Sequence, residues 1–409
     1  MNLEDLKDKK VAIWGSGVEG QAVFEFIKKQ YPEKEVGFIE NNVIPADAEV
    51  VVRSPGVSIY LPAHKEALSR GVKFTTLINL FLNMHKGAKV IGVTGTKGKS
   101  TVVSMLAFML QALGFKVGLG GNIGVSPLSF LGQNLDYIVL ELSSFQTADL
   151  EENIDAALVT NVSKAHLDWH LTHENYVNDK LKILKRAKHA VLNYNDERLK
   201  HFIGAVFYGI SEAFHVENGE IFDRDVEVKL PKLQVVGEHN LLNLCGVLAV
   251  LKLFNLDYMK AIPSLKDFLP LEHRLQKVYE RNGIEFIDDS IATVPDSVIA
   301  GLEAFKGKDV ALIAGGYDNG SADYGALNEY IKNRDNVKAV LCLPDTGRFI
   351  AVPQAKPVPN MKEAVLSAIK NLPSGGVVLL SPAAPSFNMY KNYKERGEDF
   401  AKLAKELCK

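Results

Sequence analysis

Val90-Ile-Gly-Val-Thr-Gly-Thr-Lys-Gly-Lys-Ser-Thr101 is the stretch on which the reading of this chain turns. The apolar run 89–93 predicts a buried parallel strand, and residues 101–110 carry the apolar spacing of a helix. A glycine-rich turn lies between them. Strand, turn and helix start form an anion cradle. Backbone N–H groups and the positive helix end face phosphates, Lys99 neutralises charge on the outer ones, and the Ser100 hydroxyl suits Mg²⁺. The strict pattern G-x-x-x-x-G-K-S/T has glycine where Val93 stands, and here Gly92 comes one residue early. The reading is a phosphate loop, hence use of a nucleoside triphosphate.

Outward from that loop, 409 residues exceed one ordinary core and imply two or three domains. The 47% hydrophobic and 23% charged content is that of a soluble globular protein. A net charge of −2, without a basic stripe or acidic tail, argues against nucleic acid or a membrane surface as the main partner. Cys245, Cys342 and Cys408 are isolated, lack metal-ligand spacing and suit a reducing compartment. The charged opening does not read as a signal peptide, and no apolar run is long enough to cross a bilayer. A cytoplasmic protein, monomeric, with small-molecule substrates is the expectation.

The fold class expected is α/β in three domains. Residues 1–86 show strand–helix alternation (strands 10–14, 35–39 and 49–52, helix 21–30) and predict a Rossmann-like sheet. Residues 87–270 hold the phosphate loop, strands 136–140, 156–160 and 190–193, a helix over 174–187, and a polar antiparallel stretch at 205–236. A strongly apolar helix opens at Gly237-Glu-His-Asn240. The segment 268–270 reads as a linker, and 271–409 as a second Rossmann-like domain with strands near 285–287, 309–313, 339–343 and 376–380.

Gly15-Ser-Gly17-Val-Glu-Gly20 after a strand, with Glu40 twenty residues on, matches the dinucleotide fingerprint. The same glycines suit another diphosphate ligand, such as a nucleotide-sugar, or a structural turn. Glu141 ends a buried strand, where ligands gather in doubly wound sheets, and can reach a metal that Ser100 also holds. His166, His170 and His173 have helical spacing, but no cysteine or acidic cluster completes a zinc site and the stretch looks like loop. His166 alone, shortly after strand 156–160, is the better candidate for a second Mg²⁺ or the reacting group. Nothing in composition or period singles out Lys180.

Taken in order, these pieces closely resemble the Mur ligase family of peptidoglycan synthesis. The resemblance is carried by Gly95 to Thr101, Gly121-Asn122-Ile-Gly124, Glu141-Leu-Ser-Ser-Phe-Gln146, Asn161 to His166-Leu-Asp168 and Tyr176 with Lys180. It continues through Gly237-Glu-His-Asn240 with Asn243, Glu272-His-Arg274, Asp288-Asp289-Ser-Ile-Ala-Thr293, Gly315-Gly316, Ser321-Ala-Asp323, and Ser381-Pro-Ala to Arg396-Gly397. The tail Ser381 to Phe400 points to the branch that adds D-glutamate, and the Asp-Asn-Pro-Arg signature of the diamino-acid branch is absent. The resemblance implies an ATP-dependent amide ligase that joins D-glutamate to UDP-N-acetylmuramoyl-L-alanine through an acyl phosphate. A folylpolyglutamate-type ligase is the alternative within the fold.

It further implies that Gly95, Thr96, Lys97, Gly98, Lys99, Ser100, Thr101, Asn240, Asn243, Arg274 and Asp289 hold ATP. Lys99, Glu141, His166 and Lys180 would be catalytic. Ser100 and Glu141 would serve one Mg²⁺, and His166 with a carbamylated Lys180 the second. Gly15, Ser16, Gly17, Val18, Glu19, Glu40, Asn41, Ser54, Pro55 and Gly56 would hold the UDP. Asn122, Ser143 and His166 would hold the muramoyl part, and Thr293, Ser386 and Tyr393 the D-glutamate. Three positions depart from the family pattern: Ile291 stands where a lysine is usual, Asn319-Gly320 where a basic residue is common, and Ala165 where an acid often precedes the histidine.

Overall fold

The computed structural model describes residues 1–409 apart from Asn2, Gly124, Lys164, Val236, Pro270, Leu271, 319–322, Ser374, Cys408 and Lys409, and without the side chains of Asp168 and Asp296. The expectations on Gly124, Asn319, Gly320, Ser321 and Cys408 therefore lie outside the described residues. The chain forms two compact units, Met1–Lys232 with His239–Lys266, and Leu233–Glu238 with Asp267–Lys409.

The first unit contains two parallel sheets. Strands β1 (Val11–Trp14), β2 (Val36–Phe38), β3 (Val50–Arg53) and β4 (Lys73–Thr75) make the smaller one, in the order β2-β1-β3-β4. β1 and β3 are buried at every residue, which is why they read as unbroken apolar runs rather than as alternation. The larger sheet holds β5 (Lys89–Thr94), β6 (Val117–Gly121), β7 (Tyr137–Glu141), β8 (Ile154–Val159), β9 (Ala187–Asn193) and β10 (Val206–Tyr208). Its order is β10-β9-β8-β5-β7-β6, again parallel throughout. From β5 the chain runs to the edge strand β6, returns to β7 beside β5, and then crosses to β8, β9 and β10 on the other side, so the crevice beyond the carboxyl end of β5 is the expected ligand position.

The two sheets share a core on one side, while Trp14, Ile44, Val51, Ala67 and Val72 form a separate cluster within the smaller one. Ile13, Val52, Ile78 and Phe81 from the smaller sheet and its helix Leu77–Met84 join Val90, Ile138, Leu140 and Val159 in a single apolar cluster. The boundary near 86 thus separates two sheets within one compact unit. Helix Glu238–Leu253 buries Asn240 and every residue from Asn243 to Leu251, as a helix apolar on all sides must.

Three local expectations are corrected. The helix predicted over 174–187 is His173–Leu181, followed by a 3-10 turn Lys182–Lys185, because Ala187 already pairs with Ile154 at the start of β9. Of the stretch 205–236, β10 joins the parallel sheet, and only β11 (Phe214–Glu217), β12 (Glu220–Asp223) and β13 (Val226–Val228) are antiparallel. The segment read as loop around the three histidines contains a helical turn, Leu167–His170, and its continuation from His173 is also helix.

The second unit is one sheet of β14 (Gln276–Arg281), β15 (Ile284–Asp288), β16 (Val310–Gly316), β17 (Val337–Asp345), β18 (Ala355–Pro357) and β19 (Gly376–Leu380). The order is β14-β15-β19-β16-β17-β18, with β14 antiparallel and the rest parallel. Apolar clusters cover both faces: Val298, Leu302, Leu327 and Ile331 on one, Met361, Val365, Phe400 and Ala404 on the other.

Candidate active site

The phosphate loop leaves the carboxyl end of β5 and enters helix Lys99–Ala112, with Gly98 as N-cap at φ +83°. That left-handed conformation favours glycine. A Cβ at Gly98 would also stand 2.7 Å from Asn243 Oδ1. At Gly95, φ is +151° and a Cβ would meet Thr160 Oγ1 at 1.8 Å. Thr160 Oγ1 donates to Lys97 O at 2.6 Å, and Asn161 accepts from Lys97 N at 3.0 Å while donating to Lys97 O at 3.0 Å. The loop is therefore held from behind by the segment after β8, with the Thr96 and Lys97 N–H groups both donating to Asn161.

Two lysines converge on it. Lys99 Nζ donates to Gly95 O at 2.9 Å and to Thr96 O at 3.2 Å. Lys180 Nζ, on helix His173–Leu181, also donates to Gly95 O at 2.9 Å. Lys180 is only 2% exposed. Burial first, then the Lys99 charge, lowers its pKa well below the ordinary value, with Glu141 opposing. Its surroundings thus favour the neutral amine over the charged one, and the neutral amine is the form that reacts with electrophiles.

Glu141 closes β7 and is buried. Its Oε1 accepts from Asn122 Nδ2 at 3.0 Å, and its Oε2 is buried without a hydrogen-bond partner. An orphaned carboxylate oxygen at a strand end is costly unless a cation takes it. Among the described residues no three His, Cys, Asp or Glu side chains gather as a metal centre. The expected Mg²⁺ set draws instead on Ser100 and Lys180 beside Glu141 and His166. His166 is exposed, at φ +53°, its ring 4.9 Å from that of Phe145 and 6.3 Å from that of Tyr176. The Tyr176 hydroxyl in turn bonds Thr96 Oγ1 of the phosphate loop at 2.6 Å.

Asn240 and Asn243 are buried on one face of their helix and bonded to each other at 3.2 Å, with Asn243 against Gly98. Ser143 caps the turn Ser144–Thr147 through a reciprocal bond with Gln146, whose Nε2 donates to Glu19 Oε1 at 2.5 Å. Burial raises the Glu19 carboxyl to about 7. The glycine turn of the smaller sheet thus touches the segment following Glu141. Ser54 Oγ donates to Gly15 O at 2.9 Å, joining the two expected UDP-binding segments, while Ser16, Gly17, Val18, Glu40, Asn41 and Gly56 stay exposed.

In the second unit Asp289 is buried, accepts from Ser381 Oγ at 2.8 Å, and has its pKa raised to about 7 by burial against the opposing pull of Ser381 and Arg274. Arg274 Nε is buried without a hydrogen-bond partner. Ser386 is buried, Thr293 and Tyr393 are half-buried, and the Tyr393 ring meets His273 edge-on at 5.9 Å. Arg348 ion-pairs with Asp318 at 3.0 Å.

Several buried or half-buried polar residues have partnerships that a reading of the sequence misses. Arg53, Asp149, Tyr60, His170 and Asp179 bind their partners across roughly 9 to 119 positions of chain. His170 bridges Asp179 Oδ2 at 2.8 Å and Ser144 Oγ at 2.9 Å, wholly buried.

Residues 93–251 match the Mur ligase middle domain and residues 273–384 the Mur ligase glutamate ligase domain. A relative from Micromonospora named UDP-N-acetylmuramoyl-L-alanine–L-glutamate ligase is 35% identical over 100% of this chain and 99% of its own. One from Pseudothermotoga lettingae named UDP-N-acetylmuramoylalanine–D-glutamate ligase is 35% identical over 93% of this chain and 90% of its own. Among solved structures, the MurF ligase from Thermotoga maritima in complex with ADP superposes with a TM-score of 0.63 at 18% identity, covering 100% of this chain and 97% of that one. A phosphate loop backed by a buried lysine and an orphaned strand-end carboxylate thus lies inside the matched domains, and the chain belongs to the Mur ligase family.

Proposed function

We propose that this chain is an ATP-dependent amide ligase that joins glutamate to UDP-N-acetylmuramoyl-L-alanine. The observation that carries the reading is the meeting of Lys99 and Lys180 on the Gly95 carbonyl, with Glu141 near enough to act on Lys180. A carboxylate is a poor electrophile, so the alanyl carboxylate first attacks the γ-phosphorus of ATP and becomes an acyl phosphate. Anion approaches anion in that step. Lys99, swung from its loop carbonyls to the outer phosphates, offsets the repulsion, and the loop N–H groups hold the phosphates in line.

Glu141 and Ser100 would hold one Mg²⁺, and His166 with carbamylated Lys180 the other. When bound, the two ions spread charge off the transferring group. The lowered basicity of Lys180 supports the carbamate, because an unprotonated amine is what adds to carbon dioxide. Asn240 and Asn243, beside Gly98, would hold the nucleotide. Arg274 and Asp289 belong to the same proposed nucleotide set, Arg274 through its Nε, which has no hydrogen-bond partner. The muramoyl part falls to Asn122 and Ser143, the UDP to the segments around Gly15 and Ser54, and glutamate to Thr293, Ser386 and Tyr393. The glutamate amine then attacks the acyl carbon and phosphate leaves. A division of labour over 1–86, 87–270 and 271–409 belongs to the same proposal, as does cytoplasmic work as a monomer. No helix among the described residues is long and apolar enough to cross a membrane.

The tail motif supports D-glutamate as the amino acid. A second reading, L-glutamate, is favoured by the Micromonospora relative that matches over the whole of this chain. Release of ADP and orthophosphate that requires UDP-N-acetylmuramoyl-L-alanine together with glutamate is the expected result. Running D- and L-glutamate in separate reactions selects the enantiomer. ADP release with neither reactant, or none with both, sinks the ligase. Lys99→Ala is expected to lower kcat by a factor of about 100 or more, since losing one transition-state charge partner in a dry site costs roughly 3 kcal/mol. Near-normal turnover in that variant would reject the assignment of Lys99.

A further inference from the structure

Arg53 ends β3 and is 1% exposed, yet it uses every donor it has. Nε and Nη2 grip Asp149 at 2.7 and 2.8 Å, a two-pronged pair. Nη2 also donates to Phe145 O at 2.8 Å. Nη1 donates to Ser54 O at 3.0 Å and Val57 O at 2.6 Å, so the loop 54–57 curls around the guanidinium. The indole of Trp169 lies beneath it at 5.5 Å and donates its own Nε1–H to Pro55 O at 3.0 Å. Ser58 Oγ donates to Trp169 O at 2.6 Å, and Tyr60 OH to Asp179 Oδ2 at 2.9 Å. One short strap, residues 53–60, is thus fastened to three segments of the larger sheet: the turn after Glu141, the turn after His166, and the helix that carries Lys180.

A buried guanidinium is an expensive way merely to hold two sheets together, since apolar packing of similar volume does that as well or better. Its distinct property is geometric, because the planar fork fixes directions that a lysine or an apolar side chain leaves free. The directions fixed here are those of the Ser54, Pro55 and Val57 carbonyls. The loop is pinned from its other side as well, since Ser54 donates its N–H to Trp14 O and its hydroxyl to Gly15 O and Val57 donates its N–H to Ser54 O, while Gly56 at the tip is exposed.

We propose that Arg53 is a positioning residue for the nucleotide-sugar substrate. It presets the loop Ser54-Pro55-Gly56 against the segment Ser143–Gln146 so that the two ends of that substrate meet surfaces already in register. The inference rests on the functional reading above, and goes beyond it in naming a residue that touches no substrate yet sets the affinity for one of the three. ATP and glutamate sit elsewhere in that reading and do not depend on the strap.

The test compares wild type, Arg53→Lys and the milder Ser58→Ala, which loses one hydroxyl and keeps the buried ion pair. KM for UDP-N-acetylmuramoyl-L-alanine, ATP and glutamate is measured for each, with calorimetric binding of the nucleotide-sugar alone. In Arg53→Lys the KM and Kd for the nucleotide-sugar are expected to rise about tenfold or more, with the KM for ATP within about twofold of wild type. In Ser58→Ala the same selective rise is expected, about threefold. Should Arg53→Lys fail to fold, Ser58→Ala decides alone. An unchanged nucleotide-sugar KM, or an equal rise for all three substrates, would mean that Arg53 only holds the sheets together and overturns the proposal. Wild-type protein that does not bind the nucleotide-sugar would sink the functional reading, and this inference with it.

Discussion

Lys180 shows how one residue's surroundings set its chemistry. Its amine is buried beside Lys99, and both effects favour the neutral form over the charged one, with Glu141 pulling the other way. The unfolded chain carries the proton at its ordinary pKa of 10.5, while the folded chain sheds it at a lower pH. The unfolded state therefore binds more protons across that window, so stability rises with pH. The penalty is complete below the lowered folded value and disappears above 10.5. Lys180→Met removes the titrating group at similar length. In buffer depleted of carbon dioxide, the variant is expected to be the more stable near neutrality, with the gap to wild type closing as pH rises toward 10.5. Urea unfolding of both proteins across that range checks it. A gap independent of pH would show that Lys180 is charged in the folded protein.

Among the elements, the phosphate loop is the one whose backbone is most constrained. Gly98→Ala places a side chain at φ +83°, at a cost of about 1–2 kcal/mol for the left-handed conformation alone. It also pushes the new Cβ against Asn243, so the loop or helix Glu238–Leu253 must shift. Expected are a Tm lowered by several degrees and an ATP affinity lowered at least about tenfold, read by thermal melts and by calorimetry. An alanine variant with wild-type ATP affinity would show that the loop tolerates displacement. That element was legible in sequence because its chemistry is local: strand, glycines, lysine and helix start are contiguous. Glu141 was legible for the same reason, as the last residue of a buried apolar run. The antiparallel excursion was half legible, since β10 differs from β11 only in the neighbour it finds. Arg53 and His170 were not legible, because their meaning lies in Asp149 and Ser144, partners that no local period predicts. Lys180 looks like any helix lysine until its helix is placed against Gly95, and only the family resemblance marked it.

On the scale of the whole molecule, cooperativity follows from which cores are shared. A reading of the sequence sets a boundary near 86 because a new strand–helix alternation begins there. The contacts ignore it: helix Leu77–Met84, at the end of the smaller sheet, buries Leu77, Ile78, Leu80, Phe81 and Leu82 in a cluster with Val90, Ile138 and Leu140 of the larger one. Arg53 and Asp149 add a charged pair across the same seam. A fragment of residues 1–86 would turn that apolar face to water, a loss of several kcal/mol in a domain whose whole stability is about 5–15 kcal/mol. It is expected to be unfolded or aggregated on its own. Residues 267–409 present the opposite case, because all six strands and the apolar clusters on both faces of their sheet fall inside that stretch. That fragment is expected to fold alone, with dispersed amide resonances and a single cooperative melt. Nuclear magnetic resonance and calorimetry on the two fragments decide between this division and a three-way one: a well-dispersed spectrum from 1–86 would mean that the smaller sheet carries enough core of its own, and that the seam at Arg53 joins two independent domains.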